Sequence, residues 1–365
     1  MSKLLKDIYS EEFFTDFLER FSLIYPIKKS DFLSAIFTDS WAKKELKDRM
    51  KHIAVVLESF LPIPYSEQTE LIKKFTKANS DVSSSDWRLG YLFLPEFVEK
   101  FGLNHYENSI SAIEEITKFS SCELAIRPFI LQNPQKTMAQ MLAWSKHEHY
   151  CVRRLASEGS RPKLPWAQKL QFLIEEPTEI FPILENLKND ESDFVRKSVA
   201  NNLNDISKNQ PEKILAFAAE NIGNTKNTDK ILKHALRTLL KQGNAQAMEL
   251  FGFKNNANIS LLNTEFSQKV SAENPLNISF TLHNNEKITK TIRLEYAIFF
   301  LRKNEEYSRK VFFISEKEFA PNKQIQIKKT HSFKPINTRV YYKGKQYISI
   351  IVNGKELEKT SFVYY

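Results

Sequence analysis

The sequence predicts two domains of different class, an α-helical repeat domain over residues 1–253 followed by a β-sandwich over residues 258–365. Three observations predict it. The spacing of apolar residues changes from helical to alternating near residue 255. A short arginine-bearing motif recurs inside the helical half. The charge is also split unevenly between the halves: residues 1–253 carry 34 basic and 34 acidic side chains, whereas residues 254–365 carry 19 and 10, so the second half holds the whole net charge of +9.

Taken in chain order, Phe13, Phe14, Phe17, Leu18 and Phe21 fall three or four apart and mark one face of a helix. Met50, Ile53, Ala54 and Leu57 do the same within Leu46 to Leu61, and Pro62 ends that helix because it has no amide hydrogen to continue it. Val152-Arg153-Arg154-Leu155-Ala156-Ser157 then aligns with Val195-Arg196-Lys197-Ser198-Val199-Ala200 at an offset of 43 residues, and Arg196 aligns with Arg237 at a further 41. Helix-pair repeats of the HEAT type have periods of roughly 40–47 residues. Such repeats stack into a curved solenoid with a concave groove, and arginines at equivalent positions would form a ladder along it. Beyond Asn258 the period becomes two. Leu276-Asn277-Ile278-Ser279-Phe280-Thr281-Leu282 and Gln324-Ile325-Gln326-Ile327 alternate strictly, and Tyr347 to Val352 leads into Asn353-Gly354, a strong hairpin-turn signal. Some seven strands are expected here, enough for an immunoglobulin-like sandwich. The inter-sheet disulfide is absent, because the two cysteines, Cys122 and Cys151, both lie in the helical half.

Composition removes several function classes. With only 8 glycines, architectures built on repeated Gly-rich phosphate loops are excluded, and 2 cysteines make neither a disulfide framework nor a Cys-rich zinc module. No apolar run reaches the ~18 residues of a membrane helix and the amino terminus lacks a signal-peptide core. A soluble cytoplasmic monomer with no membrane partner is expected. His147 and His149 are two apart, do not share a helix face and have no third ligand, so no metal and no cofactor is expected. Cys151 reads as a small buried residue. The basic sandwich beside a neutral solenoid reads as a clamp for a polyanion, or as a domain kept soluble by lysine. Inside the solenoid, His149 to Leu170 holds Arg153, Arg154, Arg161, Lys163 and Lys169 against Glu158, whereas Gln171 to Asp193 holds seven acids and one base. The arginines suit phosphate contacts, or else bond the acids of the neighbouring repeat and serve stability.

One segment, residues 153–166, is dense in chemistry. Glu158 stands in the last turn of a helix that Gly159 ends through a left-handed cap, an unfavourable place for an acid in the field of the helix dipole. Two prolines stiffen the loop and hold Trp166 at the start of the next helix. A carboxylate and an indole beside arginines suit a cationic, sugar-like transition state on a phosphate backbone. The bland alternative is a tryptophan packed between repeats beside a solvated acid.

The run Arg-Arg-Leu-Ala-Ser-Glu-Gly-Ser-Arg-Pro-Lys-Leu-Pro-Trp at 153–166 resembles the signature of AlkC-type DNA alkylation repair glycosylases, which belong with AlkD to a superfamily of HEAT-like repeat enzymes. Residues 195–208 resemble the family's next repeat and residues 45–53 its amino-terminal helices. Asn209-Gln210-Pro211 departs from the Asp-His-Pro-like ending of that repeat, outside the proposed chemistry. Some family members carry an immunoglobulin-like carboxy-terminal domain. The resemblance implies excision of cationic alkylated bases, chiefly 3-methyladenine, from double-stranded DNA, without full base flipping and without strand cleavage. It assigns Glu158 and Asp205 to stabilising the sugar cation and positioning water, with Glu123 a nearby third acid and Trp166 against the sugar or lesion. Arg153, Arg154, Arg161, Arg196, Lys197 and Arg237 are the candidate DNA contacts, although adjacent Arg153 and Arg154 cannot both face the groove. The sandwich is expected to grip DNA, which would place the protein with the nucleoid. Two competing functions stay open, a non-catalytic HEAT-like DNA-binding scaffold and a protein-interaction adaptor.

Overall fold

A computed structural model describes residues 4–80, 85–254 and 258–365. Helices follow one another as far as Leu250 and strands begin at Ile259. The chain forms two compact units: residues 1–210 with 225–231, and residues 211–224 with 232–365. The last helices before the sandwich therefore pack with the sandwich.

In the first unit, the helix Glu11–Phe21 buries the five apolar residues that its spacing singles out. Ser10 caps it by accepting from the Phe13 amide, which satisfies one of the free donors at the helix start. Phe13, Phe17, Phe21, Phe32, Phe75, Tyr91 and Phe93 form an aromatic core of fully buried rings. They meet in tilted and edge-to-face pairs, the latter as between Phe17 and Phe93 at 5.3 Å and 84°. That arrangement sets positive ring edges on negative ring faces. The helix Leu46–Ser59 stops just before Pro62, as expected.

The repeat is visible in detail. Arg153 is the fourth residue of the helix Tyr150–Gly159 and Arg196 the fourth of Asp193–Ser207. Each folds its guanidinium back onto the two carbonyls five and six residues earlier, those of Glu148 and His147 for Arg153 and those of Glu191 and Asp190 for Arg196. Arg237 breaks the ladder: it opens a separate short helix, Arg237–Gln242, belongs to the second unit, and donates to the His234 carbonyl. A matching arginine in sequence is not a matching position, because the third repeat starts its helix at Lys226 and ends it at Ala235.

Among the described residues the second unit has eight strands: β1 (Ile259–Phe266), β2 (Lys269–Val270), β3 (Leu276–Asn284), β4 (Lys290–Leu301), β5 (Tyr307–Phe319), β6 (Gln324–His331), β7 (Gly344–Val352) and β8 (Lys355–Tyr364). They form a three-stranded sheet, β1-β3-β6, and a five-stranded sheet, β2-β8-β7-β4-β5. Alternate residues Leu276, Ile278, Phe280 and Leu282 of β3 enter a common core with Leu294, Tyr296, Ile298, Ile348 and Ile350. Asn353 and Gly354 both have positive φ, 46° and 77°, and make the tight β7–β8 turn that an Asn-Gly pair favours. That turn seats on the end of the helix Arg237–Gln242: a Cβ on Gly243 would lie 2.8 Å from the Gly354 carbonyl oxygen. Asn353 is buried, accepts from the Arg293 amide and donates to the carbonyls of Lys254 and Thr291. The hairpin thus fastens the last helices and the linker to the sandwich. Among the described residues no helix is long and apolar enough to cross a membrane.

Candidate active site

The site is built where the helix Tyr150–Gly159 meets the helix Asp193–Ser207, both in the first unit. On the second helix Ser198, Asn202 and Asp205 are spaced four and three apart, so they share one face, and all three are buried. They meet the end of the first helix. Asn202 donates to the Ser157 carbonyl at 2.8 Å, which satisfies a free acceptor of the last turn. Ser198 donates to Glu158 Oε2 at 2.6 Å. Glu158 is 7% exposed and Asp205 2%, so neither acid is solvated, contrary to the bland alternative.

Arg161 joins the two acids. Its Nη1 donates to Glu158 Oε1 at 2.7 Å, and its Nε and Nη2 both reach Asp205 Oδ2 at 2.9 Å. Burial works against its charge, but the Glu158 and Asp205 carboxylates outweigh that and raise its pKa above the ordinary arginine value. The guanidinium is thereby committed to the acids. Arg154 flanks Glu158 on the other side at 3.8 Å, and its Nη1 donates to Glu123 Oε2 at 3.2 Å and to Ser121 at 3.0 Å. Lys208 covers the outer side of Asp205, donating to Oδ1 at 2.9 Å. Glu158, Asp205 and Glu123 are thus linked through Arg161 and Arg154 into one network.

The loop 159–168 is shaped by a residue that sequence reasoning missed. Arg127, on the helix Ile126–Gln132, is 1% exposed. It donates Nη1 to the carbonyls of Gly159 and Arg161 at 2.9 and 2.8 Å and Nε to the carbonyl of Gln168 at 2.7 Å. One side chain therefore ties both ends of the loop. Burial first, and then the positive charge of Arg161, lower its pKa to about 10. The only sequence signal was the isolated Arg127 amid apolar residues.

Two expectations about this loop, and one about Cys151 on the helix before it, are corrected. Gly159 does not adopt a left-handed cap; its φ is not positive. Glycine is needed there because a Cβ would lie 2.7 Å from Ile126 Cγ2 and 2.8 Å from the Met141 methyl. Trp166 is not at the start of a helix but in a turn, five residues before the helix Gln171–Glu175. Its φ is +64°, a left-handed conformation costly for an aromatic residue, and its side chain is 77% exposed. Lys47 donates to its carbonyl and holds it there. Behind the indole lies a cavity of about 110 Å³ whose lining includes Lys47, Glu96, Glu99 and Arg127. Burial, and then the neighbouring Glu96, raise the Glu99 carboxyl to about 7. Cys151, thirdly, is only half-buried.

Of the remaining candidates, Arg153 pairs with Asp190, Nε to Oδ2 at 2.6 Å, and with Glu191 at 3.1 Å. Arg196 pairs with Asp193. Lys197 is exposed. Among the described residues no cluster of His, Cys, Asp and Glu has the form of a metal site.

Residues 92–239 match the family model described as "DNA alkylation repair enzyme", and residues 262–364 match "Uncharacterised protein YhaZ, C-terminal Ig-like domain". The chain is 39% identical over 360 residues to YhaZ of Bacillus subtilis, covering 98% of both. Its fold is similar to that of the Pseudomonas fluorescens alkylpurine DNA glycosylase AlkC, solved bound to DNA containing an abasic site analog, with a TM-score of 0.93, 31% identity and full coverage of both chains. A helical repeat domain with two buried acids on one arginine, followed by an Ig-like domain and matched end to end by these relatives, places the chain in the AlkC-type family of DNA alkylation repair glycosylases.

Proposed function

We propose that this chain, acting as a monomer on duplex DNA, hydrolyses the N-glycosidic bond of cationic alkylated purines, 3-methyladenine foremost, and leaves the strand uncut. The observation that carries the reading is the pairing of Glu158 and Asp205, from successive repeats, on the single guanidinium of Arg161. An N3-alkylated purine is already a cation, so the base departs with the electron pair of the C1′–N bond and needs no proton. The task left to the protein is to stabilise the sugar cation and deliver water to C1′. Fixed, poorly solvated carboxylates suit the first part, and any one of them accepts the proton that the water loses. Glu158, Asp205 and Glu123 supply these groups. Lys208 is 39% exposed at its side chain, so it can turn from Asp205 to a phosphate and open that acid to the sugar. Trp166, projected from a strained turn, offers its ring to the sugar or the alkylated base. Contact without full extrusion of the base fits a site among whose described cavities none combines these acids with a deep pocket.

The test is release of bases from methylated duplex DNA, read by chromatography, for the native protein and for Glu158→Gln with Asp205→Asn. Loss of 3-methyladenine release in a variant that still melts cooperatively supports the assignment. Release by both proteins keeps the enzyme and removes the carboxylate roles. No release by the native protein, with salt-sensitive DNA binding intact, makes it the DNA-binding scaffold instead.

A further inference from the structure

Tyr150, Arg154 and Glu158 are spaced four apart and form one stripe on the helix Tyr150–Gly159. The Glu158 end is the carboxylate network. At the Tyr150 end a cavity of about 380 Å³ opens, lined by Arg88, Lys118, Ser121, Tyr150, Arg154 and Phe194 among others, with no acid in its wall. That volume lies in the range of small-ligand sites. Two of its aromatics are unusually open: Tyr150 is 42% exposed and Phe194 48%. Phe194 already stacks on Arg154, whose guanidinium carbon is 4.3 Å from the ring centroid, and Tyr150 meets Phe194 edge to face at 6.4 Å. Arg154 is shared, because the same guanidinium bonds Glu123 and Ser121 on the carboxylate side.

Lys118 is paired with Glu115 at 2.9 Å and Arg154 with Glu123 at 3.2 Å, both acids lying outside the cavity wall. The wall itself presents cations, which suit an anion, and the open aromatic faces beside them suit a flat or apolar group attached to it. From Tyr150 to Glu158 is eight residues, about 12 Å along the helix axis. That is the rise of three to four base pairs. We propose that this cavity is a second subsite for DNA, taking a phosphodeoxyribose unit of the backbone a few nucleotides from the lesion. The phosphate meets Arg88, Lys118 and Arg154, and the sugar lies on Tyr150 and Phe194. The inference rests on the glycosylase reading and adds to it a strand-registering contact: Arg154 couples the gripped unit to Glu123 and Glu158. The aromatics bind and orient; they do not touch the reacting atoms.

The experiment uses the full chain and a duplex oligonucleotide carrying a stable abasic analogue, so that binding is read apart from excision. Tyr150→Ala and Phe194→Ala are each expected to weaken binding about ten-fold. Tyr150→Phe is expected to bind like the native protein. Lys118→Gln is expected to lower the slope of log affinity against log salt by about one. In Tyr150→Ala the protein concentration needed for half-maximal single-turnover base release should rise about ten-fold, in step with the lost affinity. Tyr150 has no bond to Arg154, so this variant separates a lost DNA contact from a displaced arginine. Affinities within two-fold of native for both alanine variants overturn the subsite, even if the native protein excises bases normally. Competition by adenosine monophosphate at micromolar concentration overturns the choice of backbone in favour of a free-nucleotide site. Excision failing in the native protein, with the binding differences present, removes the glycosylase reading and leaves the subsite.

Discussion

Arg153 and Arg161 sit eight residues apart in one motif and have opposite fates. Arg153 clamps the backbone ahead of its own helix and pairs with Asp190 and Glu191 of the next repeat. Arg196 repeats that clamp one repeat later. Arg153 is spent on holding repeat to repeat, and Arg196 on the backbone and acid at the start of its own helix. Arg161 instead stands between two buried acids, an arrangement that gives little stability for its cost in desolvation but fixes where the charges lie. The contrast teaches that an arginine ladder in a helical repeat is not evidence of a phosphate ladder. Its members are sorted by whether the helix presents carbonyls or carboxylates to them.

The largest effect that tests this contrast is removal of Arg161. Arg161→Met leaves Glu158 and Asp205 facing one another without their shared cation, and unfolding by urea should show a loss of about 3–5 kcal/mol. Arg161→Lys should recover little, since one ammonium cannot span both carboxylates. A loss below about 1 kcal/mol would falsify the picture of a poorly solvated network. A smaller effect is expected at the clamp. Arg153→Ala and Arg196→Ala should each cost about 1–3 kcal/mol through the carbonyls left without donors, with DNA affinity and its salt slope unchanged. Lys197→Gln, on an exposed side chain, should do the reverse: the melt stays in place and the slope falls by about one. A drop in salt slope for the clamp arginines would return them to the DNA. The smallest effect concerns Trp166. Trp166→Gly should be more stable than Trp166→Ala by about 1 kcal/mol, because only glycine relieves the positive φ, while both lose excision. Equal melts would mean that the turn relaxes around any residue.

Much of the site was legible because its chemistry is local. Glu158, Arg161 and Trp166 lie within one short run, and the helical spacing of Ser198, Asn202 and Asp205 was there to be read as a buried polar stripe. The bond of Arg161 to Asp205 spans 44 residues, and no pattern in the chain announces it. Arg127 was illegible for the same reason, since its three acceptors are backbone carbonyls, which every residue has. The left-handed turn at Trp166 was hidden by the prolines, which mark a loop without stating its handedness.

Periodicity alone determined the helix-to-strand change, the core faces of the helix Glu11–Phe21 and of β3, and the Asn353-Gly354 hairpin, because these depend on contacts between neighbours in the chain. Tertiary structure alone decided which arginines are clamps and which bridges the acids, and that the last helices pack with the sandwich. Guanidinium groups are long, and their partners are chosen by whatever buried acceptor the packing brings within 3 Å. That distance is set by the meeting of repeats, not by the order of residues within one.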